Sequence, residues 1–121
     1  MEKEIIIGVD LGGTKIMTGA IDQQGNVIGT PVKVATEGTR SKEVILDKIM
    51  ASIRQVIRDN DLDPARLRGI GVGSTGPLDS DKGLILECPQ LPTLHFFPLR
   101  DALSREFGLP VALNNDANCL I

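Results

Sequence analysis

Ile5-Ile6-Ile7 opens an apolar run that reaches Val9 and stops at a carboxylate, Asp10. A short β-branched run of this kind predicts a buried strand. Gly12-Gly13 predicts a tight turn, because neither residue carries a Cβ, and Ile16 to Ile21 predicts the returning strand. Gln23-Gln24-Gly25-Asn26 is a second turn. The strand after it begins at Val27-Ile28 and resumes at Val32-Lys33-Val34 beyond Pro31. The first third therefore reads as a three-stranded antiparallel meander. The period then changes. Ile45, Ile49, Ile53, Val56 and Ile57 recur at helical spacing, with Ser41 as N-cap and an end near Asn60. Lys48, Arg54 and Arg58, with Arg40 and Lys42 before them, read as a solvated helix face.

A turn at Asp61-Leu62-Asp63-Pro64 leads to a strand from Leu67 to Val72, which runs into a second glycine-rich turn, Gly73 to Asp79. Asp81-Lys82-Gly83 is another turn, Leu84-Ile85-Leu86 a short strand, and Cys88 to Leu94 a proline-punctuated loop. Leu99 to Phe107 predicts a short helix with Gly108 just past its end. Val111-Ala112-Leu113 predicts a strand ending in Asn114-Asn115-Asp116, and a helix begins at Ala117. Hairpins followed by strand–helix alternation imply an α/β fold: a mixed sheet of three antiparallel strands followed by strand–helix units. Three strands end in polar or glycine-rich turns, and ligands of open α/β sheets sit beyond the carboxyl ends of strands. The three turns are therefore expected to meet at one edge.

Two of these turns suggest chemistry on their own. A hairpin that presents Asp10 and Thr14 around bare backbone amides suits a magnesium-bound phosphate; a plain Gly-Gly hairpin explains the same residues equally well. Asp116 at a strand end suits a general base, though taken alone it reads first as a helix cap. Gly71-Val72-Gly73-Ser74-Thr75-Gly76 matches the dinucleotide pattern. That pattern needs a helix at its last glycines, and the residues that follow, Pro77 to Asp81, have the composition of a loop.

The composition narrows the field. The chain has 121 residues, the size of one domain. It holds three Phe and no Trp or Tyr, so its core must be aliphatic. A net charge of −3 without a basic cluster argues against a nucleic-acid partner. No apolar segment approaches the roughly 20 residues of a membrane helix, and Met1 to Glu4 lacks the features of a signal peptide. Cys88 and Cys119 have no metal-like spacing and read as reduced thiols of a cytoplasmic protein. His95 has no second histidine to make a metal site and reads as a loop residue.

Asp10-Leu11-Gly12-Gly13-Thr14-Lys15, then Gly73-Ser74-Thr75-Gly76-Pro77-Leu78-Asp79, then Asn115-Asp116-Ala117-Asn118 occur in this order. Together they resemble the N-terminal domain of the ROK family of sugar kinases and sugar-responsive repressors. Leu91-Pro92, Pro98-Leu99-Arg100 and Phe107-Gly108-Leu109-Pro110-Val111 fit the same pattern. The resemblance implies a ribonuclease-H-like, actin-like ATPase lobe, with residues 1–121 as the N-terminal lobe of a two-lobed kinase of the glucokinase or N-acetylmannosamine kinase type. It implies transfer of the γ-phosphoryl of ATP to a hexose hydroxyl, and a homodimer of the full-length protein. On this pattern Asp10 serves Mg2+ and the phosphates. Gly12, Gly13 and Thr14 form the phosphate-binding turn, beside Lys15. Gly76 and Pro77 line the sugar pocket, Asn115 bonds a sugar hydroxyl, and Asp116 is the general base.

Where many members read Asn-Leu-Pro-Gly-Trp, this chain has Gln90-Leu91-Pro92-Thr93-Leu94, so the sugar's identity does not carry over. The family's second lobe, with its Glu-x-Gly-His sugar contacts, adenosine site and, in many members, zinc ligands, lies beyond Ile121. The isolated lobe is therefore expected to show negligible turnover and weak or no nucleotide binding. Family repressors carry a winged-helix domain ahead of the hairpin, and only about four residues precede it here, which leaves no room for a domain of ordinary size. A non-catalytic sugar-binding remnant is the other reading.

Overall fold

The computed structural model describes residues 4–74 and 77–115. Seven strands, β1 (Ile5–Leu11), β2 (Lys15–Asp22), β3 (Val27–Ala35), β4 (Leu67–Ser74), β5 (Leu78–Asp79), β6 (Leu84–Ile85) and β7 (Val111–Asn114), accompany two helices, α1 (Lys42–Asp59) and α2 (Leu99–Phe107). The main sheet has five strands in the order β3-β2-β1-β4-β7. The meander β1–β3 is antiparallel, and β4 and β7 add to β1 in parallel. β5 and β6 pair separately as a two-stranded ribbon, so Leu78-Asp79, which composition alone reads as part of a turn, is paired strand.

The sheet packs one face against the helices. Ile5, Ile7, Val9 and Leu11 of β1, with Ile16 and Ala20 of β2, are buried, the period-two set that a strand turns to one side. Over them lie Ile45, Ile49, Ile53 and Val56, the helical stripe read from the sequence. A polar exchange inside this layer is satisfied: the hydroxyls of Thr18 and Ser52 meet at 2.7 Å, and Ser52 donates to the Ile49 carbonyl. Because these isoleucines are fully enclosed, Ile49→Ala should cost about 2–5 kcal/mol of unfolding free energy. Chemical denaturation reads this directly as a lowered midpoint at an unchanged slope.

The helix ends follow local chemistry. Ser41 accepts from the Val44 amide, and Gly108 takes the left-handed conformation past α2. Pro31 does not break β3. That strand lies at the sheet edge, where a missing N–H costs no ladder bond. Its register shifts between Thr18 and Ala20, so β3 bulges at residues 29–31. Asn60, just past α1, closes on the bulge by accepting from the Thr30 amide and donating to the Thr30 carbonyl. Nor is the basic face of α1 simply solvated. Arg54 pairs with Glu106 and lies over the Phe107 ring, tying α1 to α2. Lys48 reaches the Ala35 carbonyl and Glu37.

Candidate functional site

Parallel pairing of β1, β4 and β7 brings their carboxyl ends to one edge. In register, Asp10 stands beside Gly73, and Gly73 beside Asn114. These three form one row on one face of the sheet, and two inter-strand steps separate Asp10 from Asn114, roughly 10 Å. The expected convergence of the three strand-end turns is therefore present for their described parts. Gly73 puts no side chain between the two flanking residues. Asp10 is exposed at the strand end. Lys15 lies on the same face, one step past Met17, which is the β2 partner of Asp10.

The turn between β1 and β2 is tightly held. The Gly12 amide donates to the Lys15 carbonyl at 3.1 Å. On the other side the Gly12 carbonyl accepts from the Thr36 hydroxyl at 2.7 Å. The Gly13 carbonyl accepts from the Gly38 amide, and the Thr14 carbonyl from the Thr36 amide. Gly12 and Gly13 are half-buried, while Thr14 and Lys15 are exposed. The proline-rich loop lies on this turn: a Cβ added at Gly13 would stand 2.5 Å from the Gln90 Cβ and 2.8 Å from its carbonyl oxygen. Thr93 of the same loop donates to the Arg40 carbonyl.

Beside the turn, Glu37 has φ 54°, a left-handed backbone unusual for a residue with a side chain. Lys48 holds its carboxylate at 2.8 Å, with Arg40 at 3.5 Å. The hydrogen bond and charge of Lys48, then the charge of Arg40, hold the Glu37 carboxyl below its usual range. The sign of the linkage follows. A depressed carboxylate contributes its stabilisation above its unfolded-state pKa, and the contribution is lost as pH falls through the folded-state value. Carboxyl NMR titration should find Glu37 titrating below an ordinary glutamate, and Lys48→Met should return it towards the ordinary value.

Of the other sequence-predicted residues, Pro77 is exposed and its carbonyl accepts from the Leu86 amide at 3.0 Å. Asn115 is exposed just past β7, with its amide donating to the Asn114 side chain. Gly76, Asp116, the helix expected from Ala117 and Cys119 lie outside the described residues. Cys88 is buried. His95 faces Glu87 at 3.9 Å, beside a hollow of about 380 Å³ that both help to line. Among the described residues no three His, Cys, Asp or Glu side chains gather as a metal site, and no helix is long and apolar enough to cross a membrane. Gly71 and Gly73 lie inside β4, and β5 follows almost at once, so the helix that a dinucleotide fingerprint opens is not what the described residues after Gly76 form. Sequence reading missed Thr36, Gly38 and Gln90, whose roles come from contacts with the turn that are remote in sequence. It also missed Asn114 as the residue in line with Asp10.

The ROK family description matches residues 6–121. A glucokinase from Thermotoga maritima is 34% identical over 124 aligned positions, covering 100% of this chain and 36% of that protein. The crystal structure of a ROK hexokinase from Thermus thermophilus superposes with a TM-score of 0.78 at 32% identity, over 91% of this chain and 35% of that one. A ROK family glucokinase from Streptomyces griseus, solved in complex with glucose and AMPPNP, gives 0.74 at 33% identity, over 97% of this chain and 34% of that one. The chain thus spans about a third of the length of these relatives.

Proposed function

The chain belongs to the ROK family, and from that premise we propose that the full-length protein phosphorylates a hexose, of the glucose or N-acetylmannosamine type, with ATP. Residues 1–121 are its N-terminal, ribonuclease-H-like lobe. The observation that carries this reading is the row Asp10–Gly73–Asn114, which sets the Gly12–Lys15 turn and the end of β7 along one edge. The named relatives support it, being glucokinases and a hexokinase.

In this reading the amides and Thr14 hydroxyl of the turn hold the ATP phosphates, with the Lys15 charge beside them. The backbone at Gly76 and Pro77 lines the sugar side, and Asn115 bonds a sugar hydroxyl. Asp116, two residues beyond the end of β7, takes the proton of the attacking hydroxyl. The sugar oxygen bonds to the γ-phosphorus, the bond from that phosphorus to the β–γ bridging oxygen breaks, and ADP leaves with the electron pair. Mg2+ suits the exposed carboxylate of Asp10 at the strand end. It keeps most of its waters and takes one or two carboxylates along with substrate phosphate, so Asp10 would hold it without a further cluster. When bound it neutralises charge on the phosphates.

A coupled ADP assay with a hexose panel tests this. The full-length protein should release ADP only when a hexose of the accepted type is present, and residues 1–121 alone should release almost none. Substantial turnover by the 121 residues would overturn the assignment of this chain as an incomplete lobe. Hexose-independent ADP release, or none at all, by the full-length protein would overturn the kinase reading.

A further inference from the structure

We propose that the segment from Thr36 to Gly38 is a positioning strap for the phosphate-binding turn, and that the Thr36 hydroxyl and the missing side chain of Gly38 set the position of that turn. The proposal rests on the kinase reading above. Three successive carbonyls, of Gly12, Gly13 and Thr14, accept from Thr36 Oγ1 at 2.7 Å, Gly38 N at 3.3 Å and Thr36 N at 2.9 Å. Among the described residues no peptide bond is cis, and in a trans peptide the C=O and N–H point in opposite directions. Drawing those carbonyls to the strap therefore turns the N–H groups of Gly13, Thr14 and Lys15 away from it. Successive amides aimed to one side are what an anion cradle requires.

One of the three bonds comes from a side chain, and Thr36 is fully buried. Removing that hydroxyl leaves the Gly12 carbonyl without this donor where water does not replace it. Gly38 is needed for a different reason. A Cβ there would lie 2.2 Å from the Gln90 carbonyl oxygen and 3.0 Å from the Gly13 carbonyl oxygen. Only glycine lets the strap, the turn and the Gln90 loop close together. The strap is also fixed from behind. Glu37 sits at φ 54°, and Lys48 grips both the Ala35 carbonyl and the Glu37 carboxylate. A strained residue persists where its surroundings over-determine it. The strap touches the turn and carries no group to the proposed reacting atoms, so its residues are positioning residues.

The test uses the full-length protein, with Mg-ATP and its best hexose varied separately. Thr36→Val keeps the shape and removes the donor. It should raise KM for ATP on the order of tenfold, the equivalent of one lost hydrogen bond to a carbonyl, while KM for the hexose stays within about twofold. Thr36→Ser should restore the ATP value. Gly38→Ala, whose added methyl meets the Gln90 and Gly13 carbonyl oxygens together, should raise KM for ATP as well, with a rise in the hexose KM from the displaced Gln90 loop, and it carries the ATP arm of the test if Thr36→Val does not fold. An ATP KM unchanged in the folded variants overturns the proposal, as does an equal rise in both KM values for Thr36→Val or a thermal destabilisation with wild-type kinetics. Wild-type protein that phosphorylates no hexose overturns the kinase reading and this proposal together. An active wild type with indifferent variants overturns the strap alone.

Discussion

Asp116→Asn in the full-length protein should abolish most hexose phosphorylation, lowering kcat by about 10²–10⁴-fold, the range a positioned general base contributes. The hexose KM should change little, because the amide keeps the size and one acceptor of the carboxylate. β7 pairs parallel to β4 and ends at Asn114, in line with Gly73 and Asp10. The chain therefore leaves the sheet, just before residue 116, at the same edge as the Gly12–Lys15 turn. A residue there that merely capped a helix would behave otherwise. Replacing an Asp cap by Asn costs little stability, since both are good N-caps, and a cap has no reason to control turnover. Steady-state kinetics with a parallel melting curve separate the two: a base loses kcat at constant stability, and a cap keeps both.

Gly13→Ala is the second large effect. The added methyl would stand 2.5 Å from the Gln90 Cβ and 2.8 Å from the Gln90 carbonyl oxygen. Both positions belong to the loop's own backbone framework, so a flexible side-chain tip cannot simply rotate aside. Either the Gly12–Lys15 turn or the Gln90 loop has to move. Overpacking of this kind typically costs about 1–3 kcal/mol. A displacement near 1 Å at a positioning element can cost roughly 10²-fold in rate. The variant should therefore melt earlier and lose about two orders of magnitude in kcat/KM for ATP. The loop carries the residues at which this chain departs from the family's Asn-Leu-Pro-Gly-Trp pattern, so the strain should also reach the sugar side and raise the hexose KM. Thr36→Val, by contrast, is expected to leave that constant nearly unchanged.

Much of the scaffold was readable because its signals are local. Ile45, Ile49, Ile53 and Val56 at helical spacing, capped by Ser41, define α1. The Gly12-Gly13 turn between apolar runs defines the first hairpin, and Gly108 marks the end of α2. The convergence of strand ends was also legible, since strand–helix alternation implies parallel additions to the sheet.

What escaped depends on contacts remote in sequence. β5 has two residues, Leu78-Asp79, too few to show a period; it exists because Leu78 finds Ile85 of the short strand read at Leu84-Ile85-Leu86. Pro31 looks like a strand break until β3 is known to lie at the sheet edge. Arg54 reads as solvated because Glu106 and Phe107, its partners, lie on the other helix. The seat of the Gly12-Gly13 turn was hidden for the same reason. Its glycines can be read as turn formers from the sequence, but Gly13 is also glycine because the Gln90 loop closes on it. Asp116 and Gly76 lie outside the described residues, and their roles belong to the proposal.

The claim on which the rest depends is that the Gly12–Lys15 turn carries the phosphates of ATP. Backbone amide NMR of the full-length protein, titrated with Mg-AMPPNP in the presence of its hexose, tests this most directly. The account predicts that the amides of Gly13, Thr14 and Lys15 shift most among residues 4–74, in proportion to nucleotide bound. Saturating nucleotide that leaves these three amides unmoved, while others in the lobe respond, would contradict it.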